Sequence, residues 1–340
     1  MPAPGDYGPR GQAQSDDDDG PSKFHFGNLY KSGRYVPRHK DLFESPARWD
    51  LWLEPAFLLA HSTAKRVLPA KAGKGSKGGA QPAATKPYQD FLKVECTGGG
   101  AGVYSFPCFT SEYCQKLVEE VDHAQANYAS ELSRPNGMNR FGMVLNQLGL
   151  EPAITEFQQE YIRPMQEFLY GAEGAHPDDH HCFVVRYKKG EDVGLDMHSD
   201  SSDITLNVCL GRNFKGSTLS FCGVLGNRKH RRFQHTYSHQ IGRAVIHLGR
   251  QRHGADDLES GERLNLILWN TSSEWRQSDA YIDVLQSRRK GEEGPDLICL
   301  SYTHDEDYTK YRDALADADA VSRGVMLSRV RSNPNNACSH

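Results

Sequence analysis

Two histidines, an aspartate and an arginine carry the clearest chemical signal in this chain of 340 residues. His198 and Asp200 are two positions apart, His253 follows later, and Arg263 lies ten positions after His253. Two imidazoles and one carboxylate on a single face leave the other positions of Fe(II) open, as in non-haem oxygenases. The arginine offers a planar fork of donors suited to the distal carboxylate of 2-oxoglutarate. Together they predict a site for Fe(II) and 2-oxoglutarate.

The downstream spacing makes this pattern specific. A histidine two positions before an aspartate is common here, because residues 39–41 and 176–178 repeat it. Of the histidines after Asp200, only His253 has a cation ten positions on. The nearest rival, His247, has an aspartate at that distance and is predicted to be a packed structural histidine.

Extended strands would position these side chains. Residues two apart in a strand point to the same side, so His198 and Asp200 can both reach one metal. Arg263 begins a strand-like run that ends at Trp269. One face of this run carries Arg263, Asn265, Ile267 and Trp269, and the other carries Leu264, Leu266 and Leu268.

Three further polar residues have two interpretations each. Tyr187 precedes His198 by one predicted hairpin, and it either offers its phenol to the 2-oxoglutarate carboxylate or is a hydrogen-bonded core tyrosine. Thr205 and Asn207 share one face of a predicted strand that faces either the cofactor or solvent. The residues alone leave these alternatives open.

The hydrophobic pattern predicts an all-β core with flanking helices, α+β overall. From residue 181 the pattern alternates with a period of two, and several short strands at this spacing favour a double-stranded β-helix, or jelly roll. Before it, Thr110 or Ser111 can cap one helix, and a second helix is bent at Pro164. The predicted strands cover 182–187, 204–210, 217–221, 243–248 and 264–269, and the second helix covers 151–170.

Composition limits the functional classes. Apolar residues make up 37% of the chain and the mean hydropathy is −0.67. No run of about 18 apolar residues exists, so no transmembrane helix or membrane partner is expected. A net charge of −4 gives no general attraction to nucleic acid. Eight scattered cysteines and the absence of a signal-like N-terminus indicate a reduced intracellular location, cytoplasmic or nuclear.

Changes in composition also divide the chain. The first segment is rich in Gly, Pro, Asp and Ser, the next carries aromatic residues, and a Gly/Ala/Lys stretch follows. The predicted division is a disordered tail (1–22), a docking segment (23–69), a linker (70–88), a helical support region (89–180), the jelly-roll core (181–275) and a C-terminal extension (276–340).

Six motifs follow one another along the chain: Phe183-Val-Val-Arg-Tyr-Lys-Lys-Gly190, His198-x-Asp200, Leu206-Asn-Val-x-Leu-Gly211, Gly242-x-Ala-Val-x-His-x-Gly249, His253-Gly and Gly261-Glu-Arg-x-Asn-Leu-x-x-Trp269. They resemble the prolyl/lysyl hydroxylase type of 2-oxoglutarate- and Fe(II)-dependent oxygenase, and the likeness covers about residues 104–272. Residues 134–139 and 145–150 resemble, more narrowly, the family called 2-oxoglutarate and iron-dependent oxygenase domain-containing protein 2.

The resemblance implies a function and an assignment of roles. His198, Asp200 and His253 would bind iron, Arg263 would bind 2-oxoglutarate, and Tyr187 matches a tyrosine that often assists. The implied reaction consumes O2, hydroxylates a C–H bond of a prolyl or lysyl side chain in a protein or peptide, and releases succinate and CO2. L-Ascorbate is implied as a supporting reductant.

Three rival classes remain. A nucleic-acid demethylase of the same superfamily would use the same triad, with residues 228–232 as a basic loop, but it usually has a further arginine where Trp269 stands. A catalytically weak binding module could keep the fold. A zinc hydrolase could use the triad, but it would leave Arg263 without a purpose.

Overall fold

The computed structural model describes residues 27–67, 86–97, 102–224 and 235–291. The strands are β1 (Lys93–Cys96), β2 (Val103–Pro107), β3 (Gly142–Val144), β4 (Asp179–Lys188), β5 (Leu195–His198), β6 (Ile204–Gly211), β7 (Phe214–Gly216), β8 (Leu219–Val224), β9 (His235–Tyr237), β10 (Arg243–Leu248), β11 (Gln251–Ala255) and β12 (Leu258–Thr271). The helices are α1 (Trp49–Trp52), α2 (Pro55–Val67), α3 (Lys86–Phe91), α4 (Ser111–Tyr128), α5 (Glu151–Phe157), α6 (Arg163–Tyr170), α7 (Ser273–Arg276) and α8 (Asp279–Gly291).

The strands form two antiparallel sheets. The larger has the order β1-β2-β10-β6-β12-β4-β3, with β7 paired to the beginning of β12. The smaller has the order β5-β11-β8-β9. Non-consecutive strands are neighbours in both sheets, as a jelly roll requires. The predicted jelly-roll core with flanking helices is confirmed.

The alternation of side chains divides the large sheet into two faces. Leu264, Leu266 and Leu268 of β12 pack in the main core beneath the helices, together with the even-numbered residues of β6. The opposite face of both strands lines a cavity between the sheets. The face assignment predicted for 264–269 therefore matches the structure, and it places Arg263 in that cavity.

Local signals explain the main helices. Thr110 caps α4, because its Oγ1 accepts a hydrogen bond from the backbone N–H of Tyr113 at 3.4 Å. The predicted bend of the second helix takes the form of a five-residue π turn at 158–162 between α5 and α6, and Pro164 lies in the first turn of α6. Proline has no N–H to donate, and it stands where the hydrogen bonding changes from the π to the α pattern.

Aromatic residues from the N-terminal part of the chain join the main core. Trp49, Trp52 and Phe57 are buried in it, and the Trp49 ring lies 4.9 Å from that of Phe157 in α5. This contact is the docking that the aromatic pattern of 23–69 predicted. The division of the chain into domains stays a prediction.

Two details differ from the sequence expectations. Residues 89–180, expected to be helical, also contribute β1, β2 and β3 to the large sheet. Helix α3 begins at Lys86, inside the stretch expected to be a linker. Both errors concern short segments whose structure is set by distant partners. The tail 1–22, most of the predicted linker, the basic loop 228–232 and residues after 291 lie outside the described residues.

Two composition-based expectations can be examined directly. In the part of the chain that the structure describes, no helix is long and apolar enough to cross a membrane. The six cysteines within the described ranges are free thiols, and five of them are buried.

Candidate metal and cosubstrate site

Two neighbouring strands of the small sheet and one loop bring the three predicted metal ligands together. His198 is the last residue of β5 and pairs directly with His253 of β11. Side chains opposite each other on antiparallel strands lie on the same face. Asp200 lies beyond the end of β5, where its backbone N–H donates to the carbonyl of Gly249 at 2.8 Å. The expectation that His198 and Asp200 share one strand was therefore wrong, because the strand ends before Asp200.

The ligand atoms converge on one point. The Nε2 of His198 lies 3.4 Å from Oδ1 of Asp200, and the Nε2 of His253 lies 3.5 Å from Oδ2. One ligand atom from each residue lies within 4.8 Å of the others. Among the described residues, this is the one group of three or more such side chains close enough to share an ion. The donor set and its spacing fit a single divalent cation.

Backbone carbonyls fix both imidazole rings. Nδ1 of His198 lies 2.7 Å from the carbonyl oxygen of Asp196, and Nδ1 of His253 lies 2.8 Å from that of Gln251. A carbonyl can only accept, so each Nδ1 carries the hydrogen. Each Nε2 then has a free lone pair directed at the metal position, which is the usual arrangement for histidine ligands.

The charges of the triad also suit a metal. Burial lowers the pKa of His253 to about 3, so this imidazole is neutral. Burial alone would raise the pKa of Asp200, but the adjacent His253 and His198 outweigh it and hold that pKa well below its usual value. Burial also opposes protonation of His198, yet its contact with Asp200 raises its pKa. The triad therefore offers an ionised carboxylate whose countercharge a cation can supply.

Thr205 supports the carboxylate from β6. Its Oγ1 donates to Oδ2 of Asp200 at 2.5 Å and lies 2.7 Å from Oγ of Ser202. Thr205 and Asn207 both line the cavity between the sheets. Of the two interpretations left open by the sequence, the structure favours the one in which this face of β6 points toward the site.

Arg263 is a buried cation that forms no direct ion pair with a carboxylate among the described residues. Its side chain is 2% exposed and lines the same cavity as the triad. One Nη donates to the carbonyl of Ser217 at 2.6 Å, whereas Nε has no hydrogen-bond partner. Burial lowers the pKa of Arg263 and the charge of Asp256 opposes this, but a guanidinium stays protonated in proteins in any case. The orphaned donor and the unpaired charge fit an anionic group in the cavity.

Tyr187 lies against Arg263, but the strand that carries it does not form the predicted hairpin with the strand of His198. Strand β4 pairs with β12 and β3, so Tyr187 and His198 belong to different sheets. Tyr187 pairs directly with Arg263, whose guanidinium carbon lies 4.5 Å from the centre of the phenol ring. Burial raises the pKa of Tyr187, so the phenol is neutral. The role of Tyr187 toward a cosubstrate stays a prediction.

The cavity between the sheets spans about 440 Å³, a volume that includes its opening to solvent. Its walls combine the triad and Arg263 with apolar side chains, among them Phe183 and Trp269. Asp200 is the one carboxylate among the described residues that line it. The lining therefore offers groups that suit a metal, an anionic ligand and an uncharged side chain.

His247 remains outside this arrangement. It is fully buried, its Nδ1 lies 2.8 Å from the carbonyl of Leu248, and its ring lies 4.6 Å from that of His253. It does not line the cavity or belong to the metal-ligand group. The structure agrees with its interpretation as a packed histidine.

Sequence reasoning assigned no role to three polar residues that line the cavity, which are Asn136, Asn139 and Asn265. Asn265 donates from Nδ2 to Oδ1 of Asn207 at 2.5 Å, and Asn139 donates from Nδ2 to the phenol oxygen of Tyr187 at 3.3 Å. Asn265 shares the face of Arg263, a signal that could have indicated its position. Asn139 precedes Tyr187 by 48 residues, and no local pattern predicts their contact.

Comparison with known proteins places the chain among related sequences. Residues 33–175 match the family model of the OGFOD2-like domain. The matched range begins well before the motifs of residues 104–272, so it includes the aromatic N-terminal segment as well.

Curated relatives carry the name of the same family. The chain is 38% identical over 189 residues to 2-oxoglutarate and iron-dependent oxygenase domain-containing protein ICU11 of Arabidopsis thaliana, covering 53% of this chain and 48% of the relative. It is also 38% identical over 188 residues to human 2-oxoglutarate and iron-dependent oxygenase domain-containing protein 2. This match covers 55% of this chain and 53% of the human protein. The chain thus spans about half the length of these relatives. The predicted resemblance to this family is confirmed.

A more distant relative is the human procollagen-lysine,2-oxoglutarate 5-dioxygenase 1. It is 31% identical over 165 residues, which cover 44% of this chain and 21% of that protein. This similarity agrees with the predicted likeness to hydroxylases of the prolyl/lysyl type.

Proposed function

We propose that this OGFOD2-like chain is a 2-oxoglutarate- and Fe(II)-dependent dioxygenase. It hydroxylates a C–H bond of an uncharged side chain in a protein or peptide, with a prolyl side chain as the best fit, and it releases succinate and CO2. O2 is the oxidant. The names of the curated relatives support the reaction class.

The buried guanidinium of Arg263 is the observation that carries this proposal. A charged side chain that is 2% exposed and lacks a carboxylate partner among the described residues is costly in the ligand-free protein. The distal carboxylate of 2-oxoglutarate would supply the missing charge and accept the unpartnered Nε–H. A zinc hydrolase would have no use for this cation.

Different residues of the site would bind the metal, orient the cosubstrate and exclude water. His198, Asp200 and His253 would hold the metal, and their backbone and Thr205 contacts keep the ligand atoms oriented. Arg263 would orient the cosubstrate. The apolar walls would exclude water from the reacting centre, a common requirement in such sites. Iron, when bound, would supply the redox chemistry that activates O2.

The charge of the cavity lining favours a neutral substrate over lysine. A lysyl ammonium next to the reacting carbon would need a carboxylate, because an unpaired charge is expensive to bury. Asp200 is the one described carboxylate in the lining, and both its oxygens contact histidine ligands. The similarity to procollagen-lysine dioxygenase supports the opposite choice, so the two side chains must be compared directly.

Succinate release with matched peptide libraries tests both parts of the proposal. Protein loaded anaerobically with Fe(II) and 2-oxoglutarate is exposed to O2, with ascorbate present because the hydroxylase resemblance implies it. One peptide library contains a central proline, and the other contains lysine at the same position. We expect succinate formation to increase with the proline library, together with peptides that gain one oxygen.

Different failures have different meanings. If 2-oxoglutarate neither binds nor yields succinate, the protein is a binding module and the proposed reaction is wrong. If only lysine peptides are oxidised, the reaction stands and the choice of side chain is wrong. A methylated oligonucleotide in a third arm would release formaldehyde if the chain were a nucleic-acid demethylase. Asp200→Ala and Arg263→Ala proteins are the negative controls.

A further inference from the structure

The loop of residues 134–141 forms part of the cavity wall. It lies between the end of the α4 region and β3, and its Asn136 and Asn139 side chains line the cavity. Asn139 is 2% exposed, although it lies in a loop. A polar side chain this deeply buried needs hydrogen-bond partners, so its contacts indicate what it is positioned to do.

Both ends of the loop are attached to the region around β4. At the first end, Nε2 of His181 lies 2.9 Å from the carbonyl oxygen of Pro135. At the other end, Oδ2 of Asp192 accepts from the backbone N–H groups of Arg140 and Phe141, at 2.7 and 3.2 Å. These contacts hold the middle of the loop over the cavity.

A chain of amide hydrogen bonds fixes the orientation of Asn139. Oδ1 of Asn136 accepts from the backbone N–H groups of Met138 and Asn139, at 2.8 and 2.7 Å. The Nδ2 of Asn136 is therefore directed away from these two N–H groups, and it donates to Oδ1 of Asn139 at 3.2 Å. Because that oxygen is the acceptor, the amide nitrogen of Asn139 must be the group that reaches Tyr187.

This orientation determines what the phenol of Tyr187 can do. Its oxygen accepts the N–H of Asn139 at 3.3 Å, and the guanidinium carbon of Arg263 lies 4.5 Å from the centre of its ring. Neither an amide N–H nor a guanidinium can accept a hydrogen bond, so the phenol keeps its own hydrogen for a third group. The third group must be an acceptor, and a carboxylate next to Arg263 is one.

We propose that Asn139 is a positioning residue for the cosubstrate: it holds the Tyr187 hydroxyl as a donor to the carboxylate bound at Arg263, and it thereby links the 134–141 loop to 2-oxoglutarate binding. The inference rests on the proposed function, because the carboxylate is that of 2-oxoglutarate. Asn139 acts only through Tyr187, which distinguishes it from a residue that touches the ligand.

A double-mutant cycle on 2-oxoglutarate affinity tests the link. Calorimetric titration uses the full chain loaded with Mn(II) in place of Fe(II), so that no turnover occurs. Asn139→Ala should weaken binding about 2- to 10-fold, the size expected for one buried hydrogen bond. Tyr187→Phe should weaken it by at least as much. Adding Asn139→Ala to Tyr187→Phe should then change the affinity by less than about 2-fold, because the intermediary is gone.

Several outcomes would overturn the inference. Equal affinities of the parent and the Asn139→Ala protein would remove the role of Asn139, and an additive cycle would show that it does not act through Tyr187. Asn127→Ala, which changes an exposed asparagine of α4, is the matched control and should bind like the parent. If the parent itself fails to bind 2-oxoglutarate, the proposed function is wrong.

Hydrogen exchange of the unmodified protein gives a test that needs no substitution. Backbone amides of residues 134–141 should exchange more slowly when 2-oxoglutarate is added to the Mn(II)-loaded protein. Unchanged exchange in this loop, with slower exchange around Arg263, would show that cosubstrate binds without involving the loop. That result would refute the link even if the Asn139→Ala protein did not fold.

Discussion

Replacement of Arg263 should separate cosubstrate binding from metal binding. Its side chain lies between the Ser217 carbonyl and the Tyr187 ring, with an unpartnered Nε. None of these contacts involves the triad. Arg263→Ala should therefore abolish tight 2-oxoglutarate binding while Fe(II) still binds through the three ligands.

The size of the effect follows from burial. With Arg263 2% exposed, the bound carboxylate would also be removed from water, and truncation would leave it unpaired. Breaking a buried pair of this kind costs on the order of 3–5 kcal/mol, or roughly a 100- to 4,000-fold loss of affinity. Arg263→Lys should recover only part of this, because an ammonium cannot reproduce the two parallel hydrogen bonds of the guanidinium.

Calorimetry with Mn(II)-loaded protein measures the affinities, and metal analysis of the same samples measures the retained Fe(II). The Arg263→Met protein adds a measurement of stability, because methionine fills a similar volume without a charge. In the ligand-free state, removing a buried cation that has no direct ion pair should offset the lost hydrogen bond to Ser217. Its unfolding free energy should therefore not fall below that of the parent.

Ligand-dependent stabilisation completes the argument. Excess 2-oxoglutarate should raise the Tm of the metal-loaded parent but not that of the Arg263→Met protein, because only a protein that binds the ligand is stabilised by it. The reasoning would be refuted if a folded Arg263→Ala protein bound 2-oxoglutarate as tightly as the parent. It would also be refuted if loss of the arginine released the metal.

Three other predictions concern the metal, the reaction and the pH dependence of stability. His253→Ala should lose stoichiometric Fe(II); tight Fe(II) binding by the folded variant, measured by metal analysis, would contradict the ligand assignment. Turnover under labelled O2 in chloride should add one labelled oxygen to the substrate and no chlorine, since Asp200 occupies the position that a halide would need; mass spectrometry of the product distinguishes the two. Burial lowers the pKa of His180 to about 4, and its Nδ1 faces the Asn146 amide nitrogen at 3.2 Å, so the folded protein resists its protonation. The free energy of unfolding should therefore fall by up to about 3 kcal/mol as the pH drops from about 6.5, where the unfolded chain takes up this proton, toward 4. Urea unfolding at pH 7 and pH 5 should show a smaller loss of stability for the His180→Gln protein than for the parent. An equal loss in the two proteins would contradict the assignment.

Strong local patterns made part of the fold predictable. The alternation in β6, β10 and β12 is regular because one face of each strand packs against the helices. The predicted ends of these strands agree with the structure to within two residues, except at the beginning of β12, which starts six residues earlier than predicted. The N-cap at Thr110 likewise placed the beginning of α4. In these elements a single buried face extends over six or more residues, so the sequence shows a periodic pattern of apolar residues.

The short strands were not predictable for the opposite reason. β5 and β11 contain four and five residues, and they carry the histidines that the site requires instead of an apolar alternation. β1 and β3 contain four and three residues. The extended conformation of β3, β5 and β11 is imposed by pairing with strands far away in sequence, which local propensity does not reveal, whereas β1 pairs with the next strand, β2. For this reason the sequence indicated the ligands of the metal but not the loop that carries Asp200.

The site residues divide along the same line. The convergence of His198, Asp200 and His253 in one cavity with Arg263 could be predicted, because the expected chemistry requires particular side chains and because their spacing is unusual in this chain. Asn139 could not, since an asparagine in a loop is ordinarily exposed and its importance depends on a contact across 48 residues. Residue types therefore predict the groups that touch ligands, whereas the groups that orient them become visible only when the sheets are assembled.

The charges of the assembled site explain why its two halves lie in one cavity. In the ligand-free protein, Asp200 and Arg263 are buried charges of opposite sign, and each makes its contacts with other groups instead of with the other. A divalent metal next to the single negative charge of Asp200 would leave one positive charge in excess. A dianionic cosubstrate next to the single positive charge of Arg263 would leave one negative charge in excess. With both ligands bound, these two excess charges would cancel. Because buried net charge is expensive, the proposed metal and cosubstrate would compensate the cavity best when both are bound, and the separation of Asp200 from Arg263 would leave each side chain available for its own ligand.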